Sequence, residues 1–251
     1  MYSVTQRIKA IKQPRGGYIR PKDFLPITMN DGIELFTNEN ISANLVGTSV
    51  DYLTRYMMGT PIDEAFRISL SGAARVLEAD YAQNLISEIT GLDDTSISNA
   101  CKLVGYDVCF RAGIALYKPV QEICPNSETI ANIRTMVNRS LSFWKEYGPI
   151  VIDGITFKGG YTSIVSSGDA DFLTDDTLWD FKVSKEPPRS QHTLQLLMYY
   201  IMGCHSIHKE FEKIKNIGIF NPRLNTVYLM NVSNIDEKVL QVVSSEIIGY
   251  K

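Results

Sequence analysis

The sequence has 251 residues, of which 44% are apolar and 21% are charged, and its formal net charge is −3. A chain of this length and composition buries a substantial core as one large domain or two small ones. The net charge excludes the overall positive field that is typical of many nucleic-acid-binding proteins, although positive charge can still be confined to one cleft. No apolar run is long enough to span a bilayer and no signal peptide begins the sequence, so we expect a cytoplasmic protein without membrane contact.

The cysteines do not have the spacing of a metal cluster. None of the four stands in a CxxC pair, and they are Cys101, Cys109, Cys124 and Cys204. Metal-binding cysteines usually occur as closer pairs, so we expect reduced and mostly buried thiols.

The first predicted element is a short basic amphipathic helix over residues 3–12, which ends at a Pro-Arg-Gly-Gly breaker. Tyr18 and three cations lie in or after this breaker: Arg15, Arg20 and Lys22. Two interpretations stay open. In one the cations contact phosphates while Tyr18 stacks on a base, and in the other the loop is simply solvated.

The rest of the front half has the apolar periodicity of helices. The first predicted helix starts near Asn40, with Asn40 or Ser42 as its cap. Two helices are predicted over 62–78 and 79–90, and a broken helical stretch runs from Thr95 or Ser96 toward Tyr117. A further helix is predicted over 128–147, with Ser127 as its cap. We find no cofactor pattern among their apolar and aromatic residues, which are therefore core candidates.

The periodicity changes at Gly148-Pro149. Strands are predicted over 150–157 and 161–166, joined by a hairpin at Gly159-Gly160, and again over 214–220 and 226–230. Helices are predicted over 190–202, closed by Gly203, and over 235–248. Together these elements predict one α/β domain over 1–251, mainly helical over 1–147, with a mixed central sheet over 148–251 that helices flank.

Between these elements lies an unusual pair of short strands around a turn at Thr174-Asp175-Asp176. In the second strand Leu178, Asp180 and Lys182 share one face, while Trp179, Phe181 and Val183 share the other. A carboxylate and an ammonium group therefore lie side by side on a strand that should be buried, where unused charges are rare.

Asp171 and Asp180 end adjacent strands and can converge on one divalent cation. Oxygen ligands suit Mg²⁺ or Mn²⁺, with the carbonyl of Phe181 and water completing the coordination. Lys182, beside Asp180, can then orient or deprotonate a water molecule or balance charge on a phosphate. The alternative is that Asp180 and Lys182 form an exposed pair on an edge strand.

Three short patterns occur in order: Gly168-x-x-Asp171, Asp180-Phe-Lys182, and Gln195-x-x-x-Tyr199 on the following helix. This ensemble resembles the PD-(D/E)XK nuclease superfamily, and in particular its RecB-like branch. The resemblance implies a restriction-endonuclease-like fold, acids that bind Mg²⁺ or Mn²⁺, a lysine that assists the attacking water, and a glutamine and a tyrosine that line the active site. It also implies a metal-dependent nuclease that hydrolyses DNA phosphodiester bonds, with exonuclease action on DNA ends as the expected mode.

RecB-like nucleases also carry a G-x-x-x-H motif on an earlier helix, whose last residue reaches the metal or its waters. Gly47-Thr-Ser-Val-Asp51 has this spacing, with Asp51 where histidine is common. By resemblance Asp51 is the third metal ligand, with Glu64 as the other candidate. The alternative for Asp51 is a solvent-facing helix residue.

The resemblance covers residues 151–203 well and 42–58 loosely, and helicase motifs are absent. Some RecB-like nucleases hold an iron–sulfur cluster with four cysteines, several of them typically near the C-terminus. No such cluster is expected here, because no cysteine follows Cys204. Local positive charge for a nucleic-acid backbone is expected from Lys158, Lys185, Arg189, Arg15 and Arg20, with His192 as either a phosphate contact or a surface residue. The choice between DNA and RNA, and the oligomeric state, stay open. A second hypothesis is a catalytically silent nuclease-like module that binds nucleic acid or a protein partner.

Overall fold

The computed structural model describes residues 1–251, which form two compact units. The sheet unit consists of Met1–Met29 and Trp144–Lys251, and the helical unit consists of Asn30–Phe143. The first 29 residues therefore fold with the strands, although the rest of the mainly helical front half forms a unit of its own.

The fold is mixed α/β, as the sequence predicts. The strands are β1 Tyr2–Ser3, β2 Leu25–Thr28, β3 Ile152–Thr156, β4 Val165–Ser167, β5 Asp169–Leu173, β6 Thr177–Phe181, β7 Asn216–Asn221 and β8 Thr226–Asn231. The α-helices are α1 Val4–Ala10, α2 Ala43–Met57, α3 Ile62–Ala65, α4 Arg67–Arg75, α5 Ala79–Ser87, α6 Asp94–Val104, α7 Asp107–Arg111, α8 Ser127–Tyr147, α9 Ser190–Cys204 and α10 Glu237–Val242. None of these helices combines the length and apolar character needed to cross a bilayer.

The sheet unit is built on a six-stranded mixed sheet with the order β2-β8-β7-β6-β5-β3. Only β6 and β7 pair in parallel, and the other neighbours are antiparallel. Parallel neighbours require a crossover connection, and α9 provides it between β6 and β7. The predicted helix between two strands of a mixed sheet is therefore confirmed.

The hairpin of β5 and β6 is also confirmed, and its turn residues stabilise it. The backbone N–H of Thr174 donates to the carbonyl of Thr177 at 3.0 Å, and the Trp179 indole N–H donates to the Thr174 hydroxyl at 3.1 Å. Trp179 packs edge-on against Tyr147 of α8, while Leu178 belongs to the core that includes α9. Both faces of β6 are therefore buried.

The prediction of a hairpin through Gly159-Gly160 is wrong. β4 pairs in parallel with β1 at the start of the chain, and β3 pairs with β5 instead. Position 160 excludes a side chain for a steric reason, since a Cβ there would lie 2.3 Å from the carbonyl oxygen of Met202. The prediction that Gly203 closes α9 is wrong as well, because α9 continues to Cys204 and a Cβ on Gly203 would overlap the Phe211 ring.

The helical unit contains α2 to α7 and α8 up to Phe143. Ser42 caps α2 by accepting from the N–H of Leu45, as predicted. Asn126, and not Ser127, accepts from the N–H of Thr129 at the start of α8, because Ser127 is already helical. The predicted helix over 62–78 is interrupted at Phe66, which separates α3 from α4.

The last predicted helix, over 235–248, is also split. α10 covers Glu237–Val242, and the chain continues as a π-helix over Val243–Ile248 that Gly249 ends in the left-handed region, with φ +97°.

Candidate active site

The hairpin register brings the two predicted metal-binding acids opposite each other. Phe172 pairs with Trp179 and Leu173 with Leu178, so the next position of the same register sets Asp171 against Asp180. Directly opposed residues of antiparallel strands lie on the same face of a sheet. The Asp171 carboxylate also accepts a hydrogen bond from the backbone N–H of Phe181 at 2.7 Å, which fixes its orientation at the end of the hairpin.

Asp180 is buried, with 2% of its surface exposed. Its Oδ1 accepts a hydrogen bond from the Lys182 ammonium group at 2.9 Å. Oδ2 lies 2.8 Å from the same nitrogen, yet it accepts no well-formed hydrogen bond. Burial raises the pKa of the Asp180 carboxyl, and the positive charge of Lys182 acts in the opposite direction. Asp180 and Lys182 therefore form a largely buried pair, which excludes the exposed pair on an edge strand.

Gln195 and Tyr199 lie one helical turn apart on α9, and the Gln195 amide donates to the Tyr199 hydroxyl at 2.7 Å. Burial raises the pKa of the Tyr199 phenol, and the charges of Asp180 and Asp171 raise it further. The phenol therefore stays protonated at neutral pH. The charges of both acids therefore act on Tyr199, which is what the predicted common site requires.

Gly168 allows Tyr199 to lie close to β5. A Cβ at this position would lie 2.7 Å from a methyl carbon of Val4 and 3.4 Å from the Tyr199 ring. Tyr199 is held from another side by Phe157, whose ring stacks on it at 5.3 Å between centroids. The glycine of the Gly168-x-x-Asp171 pattern thus has a packing role at the site.

The sequence interpretation left the role of His192 open between a phosphate contact and a surface residue. It lies three residues before Gln195 and seven before Tyr199, which is the spacing of one helix face. Its Nδ1 accepts from the backbone N–H of Arg189 at 3.2 Å. Burial, Lys182 and Arg189 together lower the pKa of the imidazole, which is therefore neutral at physiological pH. The i, i+3, i+7 spacing was the signal that could have identified it.

The N-terminal breaker loop lies against the first turn of α9. The Thr193 hydroxyl donates to the carbonyl of Ile19 at 2.7 Å, and a Cβ on Gly17 would lie 2.7 Å from the Cβ of Ser190. The predicted nucleic-acid contacts Arg15, Lys185 and Arg189 are exposed in or near these segments.

The other two predicted nucleic-acid contacts are placed differently. Arg20 forms an ion pair with Asp23 at 2.9 Å. Lys158 lies near the other end of α9, where its carbonyl accepts from the N–H of Ile207, three residues beyond the end of that helix.

The two candidates for a third metal ligand belong to the helical unit. On α2, Asp51 forms an ion pair with Arg55 at 3.1 Å, and its side chain is 30% exposed. On α3, Glu64 is exposed. Their role as ligands stays a prediction.

No group of three or more histidine, cysteine, aspartate or glutamate side chains lies close enough to hold a metal ion. Magnesium in proteins is commonly held by only one or two carboxylates and keeps several waters. The donors at Asp171, Asp180 and the Phe181 carbonyl are hard oxygens, and a buried carboxylate oxygen without a hydrogen bond is the kind of atom that a cation would satisfy. The residues present therefore fit Mg²⁺ or Mn²⁺.

The cysteines lie elsewhere. Cys101 and Cys109 are buried, while Cys124 and Cys204 are exposed, so the prediction of mostly buried thiols holds for two of the four.

Comparison of the chain with protein-family models, with curated proteins and with solved structures finds no match.

Proposed function

We propose that this protein is a metal-dependent nuclease of the PD-(D/E)XK type, close to the RecB-like branch, that hydrolyses DNA phosphodiester bonds. The observation that carries the proposal is the register that sets Asp171 opposite the buried Asp180, with Lys182 beside Asp180. The hydrogen-bonded Gln195–Tyr199 pair on the following helix supports it. Its support from the fold is the succession of a hairpin, a crossover helix and a parallel strand that carries these residues.

Asp171, Asp180 and the carbonyl of Phe181 would hold the cation. A divalent cation supplies a water of lowered pKa at neutral pH and neutralises charge on the phosphate. The hydrogen bond from the Phe181 N–H to Asp171 fixes one of the two carboxylates in advance, so less entropy is lost when both must act together.

We propose that Lys182 acts on the attacking water and on the phosphate. With its side chain 26% exposed, the ammonium group reaches solvent as well as Asp180. In the reaction a water oxygen attacks phosphorus, its proton leaves to solvent, the phosphorus–oxygen bond to the leaving group breaks, and the leaving oxygen takes a proton. Lys182 stabilises the negative charge that grows on the phosphate oxygens.

Gln195 and Tyr199 are proposed to position the scissile phosphate. The raised pKa of Tyr199 keeps its hydroxyl protonated, so it remains a hydrogen-bond donor beside two acids. Arg15, Lys185 and Arg189 supply backbone contacts near the start of α9, where the partial positive charge of the helix also favours a phosphate. Action on DNA ends is the proposed mode, and it rests on the family resemblance.

The test is cleavage of labelled DNA by the purified full-length chain with Mg²⁺ or Mn²⁺. Linear single strands, linear duplexes and a covalently closed circle are compared for the wild type, Lys182→Met and the control Lys209→Met, which removes an exposed lysine of the same unit. We expect the linear substrates to be degraded by the wild type and the control, and the circle and the Lys182→Met reactions to stay intact.

Two outcomes would contradict this proposal. One is intact DNA of every kind with either metal, and the other is equal cleavage by the wild type and Lys182→Met. DNA binding that needs no metal and leads to no cleavage would favour the silent nuclease-like module.

A further inference from the structure

A groove of about 390 Å³ opens in the sheet unit, and it includes none of the proposed catalytic residues. One wall is the segment 17–20 with Asp23, and the other is formed by Met230, Asn234–Asp236 and Val239. Its volume is within the range of small-ligand sites, which is about 300–1,000 Å³. The groove has no role in the fold that its lining side chains explain.

Part of the groove lining is apolar, and this part is called the floor. Ile19, Met230 and Ile235 are buried there, and Val239 is half-buried. Tyr18 adds an aromatic ring that is partly buried against the same core. A flat apolar group with an aromatic face would bury its surface against such a floor.

The rim of the groove is polar and carries more negative than positive charge. Asp23 is engaged by Arg20, and Asp236 accepts from the N–H of Lys238 at 2.8 Å. A carboxylate can accept about four hydrogen bonds, so both acids keep capacity for donors of a ligand. Asn234 on the same rim offers an amide, which both donates and accepts.

The groove adjoins the candidate active site through a shared segment. Gly17 and Ile19 line the groove, and the same two residues lie against Ser190 and Thr193 in the first turn of α9. Gly17 has φ +96°, a left-handed conformation, and has no space for a side chain toward Ser190. A DNA strand bound at the start of α9 would therefore lie next to a segment that also lines the groove.

We propose that this groove binds one unpaired nucleobase of the substrate strand, and that it prefers bases with an exocyclic amino group. The proposal rests on the nuclease function above and names a substrate subsite for it. The apolar floor and Tyr18 hold the face of the base, while Asp23 or Asp236 accepts from its amino group. Amino-group recognition by an acidic side chain is a known mode of base recognition.

The experiment measures nucleotide binding by the full-length protein in EDTA, so that its outcome does not depend on catalysis. Calorimetry compares dCMP with dUMP, which differ at the base in the amino group that dCMP has and dUMP lacks. The variants are Val239→Trp, which fills the groove, and Asp236→Asn, which retains a good helix cap but offers the ligand an amide. Lys209→Met, which removes an exposed lysine outside the groove, serves as the matched control.

We expect the wild type and Lys209→Met to bind dCMP about tenfold more tightly than dUMP. Val239→Trp should weaken dCMP binding about tenfold or more, and Asp236→Asn should reduce the preference for dCMP while circular dichroism shows an unchanged fold. The proposal is overturned if neither nucleotide binds at millimolar concentration, if dUMP binds as well as dCMP, or if a folded Val239→Trp binds like the wild type.

Failure of the nuclease function is recognised separately, because it would appear as absent cleavage in Mg²⁺ or Mn²⁺ with nucleotide binding in EDTA intact.

Discussion

Each unit of the molecule contains one deeply buried aspartate, and the two are satisfied very differently. In the helical unit Asp107 is 6% exposed and both of its oxygens accept hydrogen bonds. Oδ1 accepts from the Ser69 hydroxyl at 2.6 Å, and Oδ2 accepts from the Tyr52 hydroxyl at 2.7 Å and from Arg111 at 3.3 Å. In the sheet unit Lys182 is the only described partner of Asp180. Oδ1 accepts from its ammonium group at 2.9 Å, and Oδ2 lies 2.8 Å from the same nitrogen without accepting a well-formed hydrogen bond.

This difference is what we expect between an acid with a structural role and an acid with the proposed functional role. A buried carboxylate that is fully satisfied joins elements of a fold, and the Asp107 contacts join α2, α4 and α7. A buried oxygen without a hydrogen bond costs free energy in the folded protein, and its retention points to a ligand that is bound at that atom. We therefore propose that Asp180 belongs to the functional site of the sheet unit, whereas Asp107 holds elements of the helical unit together.

The largest expected effect is on cleavage. Asp180→Asn should lower the initial rate on end-labelled linear DNA by about 10³-fold or more, because several kcal/mol of charge stabilisation depends on the cation that this residue helps to hold. Asp107→Asn, measured at a temperature at which circular dichroism shows a folded protein, should retain cleavage within a few-fold. Equal losses in the two variants would remove the distinction between the two acids.

The next largest expected effect is on the stability of the protein, and it concerns Asp107 of the helical unit. Asp107→Ala should lower the free energy of unfolding by about 3 kcal/mol, because the buried hydroxyl groups of Tyr52 and Ser69 lose their acceptor. Urea unfolding followed by circular dichroism measures the change. Asp80→Ala, which removes an exposed aspartate of the same unit, should change it by no more than about 0.5 kcal/mol. A loss for Asp107→Ala as small as that of the control would contradict a structural role.

Ionised Asp180 should destabilise the folded protein. Its pKa is raised above the ordinary value of 3.8, so the folded chain holds this proton more tightly than the unfolded chain does. Stability is then lost as pH rises from that ordinary value toward the raised one. Asp180→Asn should therefore be more stable than the wild type at pH 7, with no advantage below pH 3.8. Chemical denaturation at the two pH values, without metal, measures this, and a less stable Asn variant at pH 7 would show that the ion pair with Lys182 prevails.

The smallest effect concerns the positive charges around the first turn of α9. The logarithm of DNA affinity falls linearly with the logarithm of salt concentration. Arg15→Gln and Lys185→Gln should each make this line less steep by about 1 unit if each residue neutralises one phosphate. The control Lys209→Gln should leave the slope unchanged. Fluorescence anisotropy with labelled DNA in Ca²⁺ or EDTA measures it. Unchanged slopes for Arg15→Gln and Lys185→Gln would mean that DNA does not follow this side of the sheet unit.

The local part of this structure could be predicted from the sequence. The alternation of residues 178–183 and the turn-forming side chains at 174–176 are short-range signals, and the β5–β6 hairpin follows from them. The four-residue spacing of Gln195 and Tyr199 likewise predicts one helix face, on which the two side chains are hydrogen-bonded.

The long-range part could not be predicted in this way. β1 pairs with β4 and β2 with β8, and each pair joins segments more than 150 residues apart that no local periodicity connects. The glycines at 160 and 203 were interpreted as turn and cap residues, although steric contacts with Met202 and Phe211 explain them. The difference between Asp107 and Asp180 was also hidden, because hydrogen-bond satisfaction depends on residues that are distant in sequence.

The central claim is that the Asp180 oxygen without a hydrogen bond marks a divalent-cation site, and Mn²⁺ titration by calorimetry tests it most directly. The wild type and Asp175→Asn, which changes an exposed acid in the turn of the same hairpin, should bind Mn²⁺ equally well. Asp180→Asn should bind it about 100-fold more weakly or not at all. Mn²⁺ binding by a folded Asp180→Asn protein with the affinity of the wild type would contradict the claim.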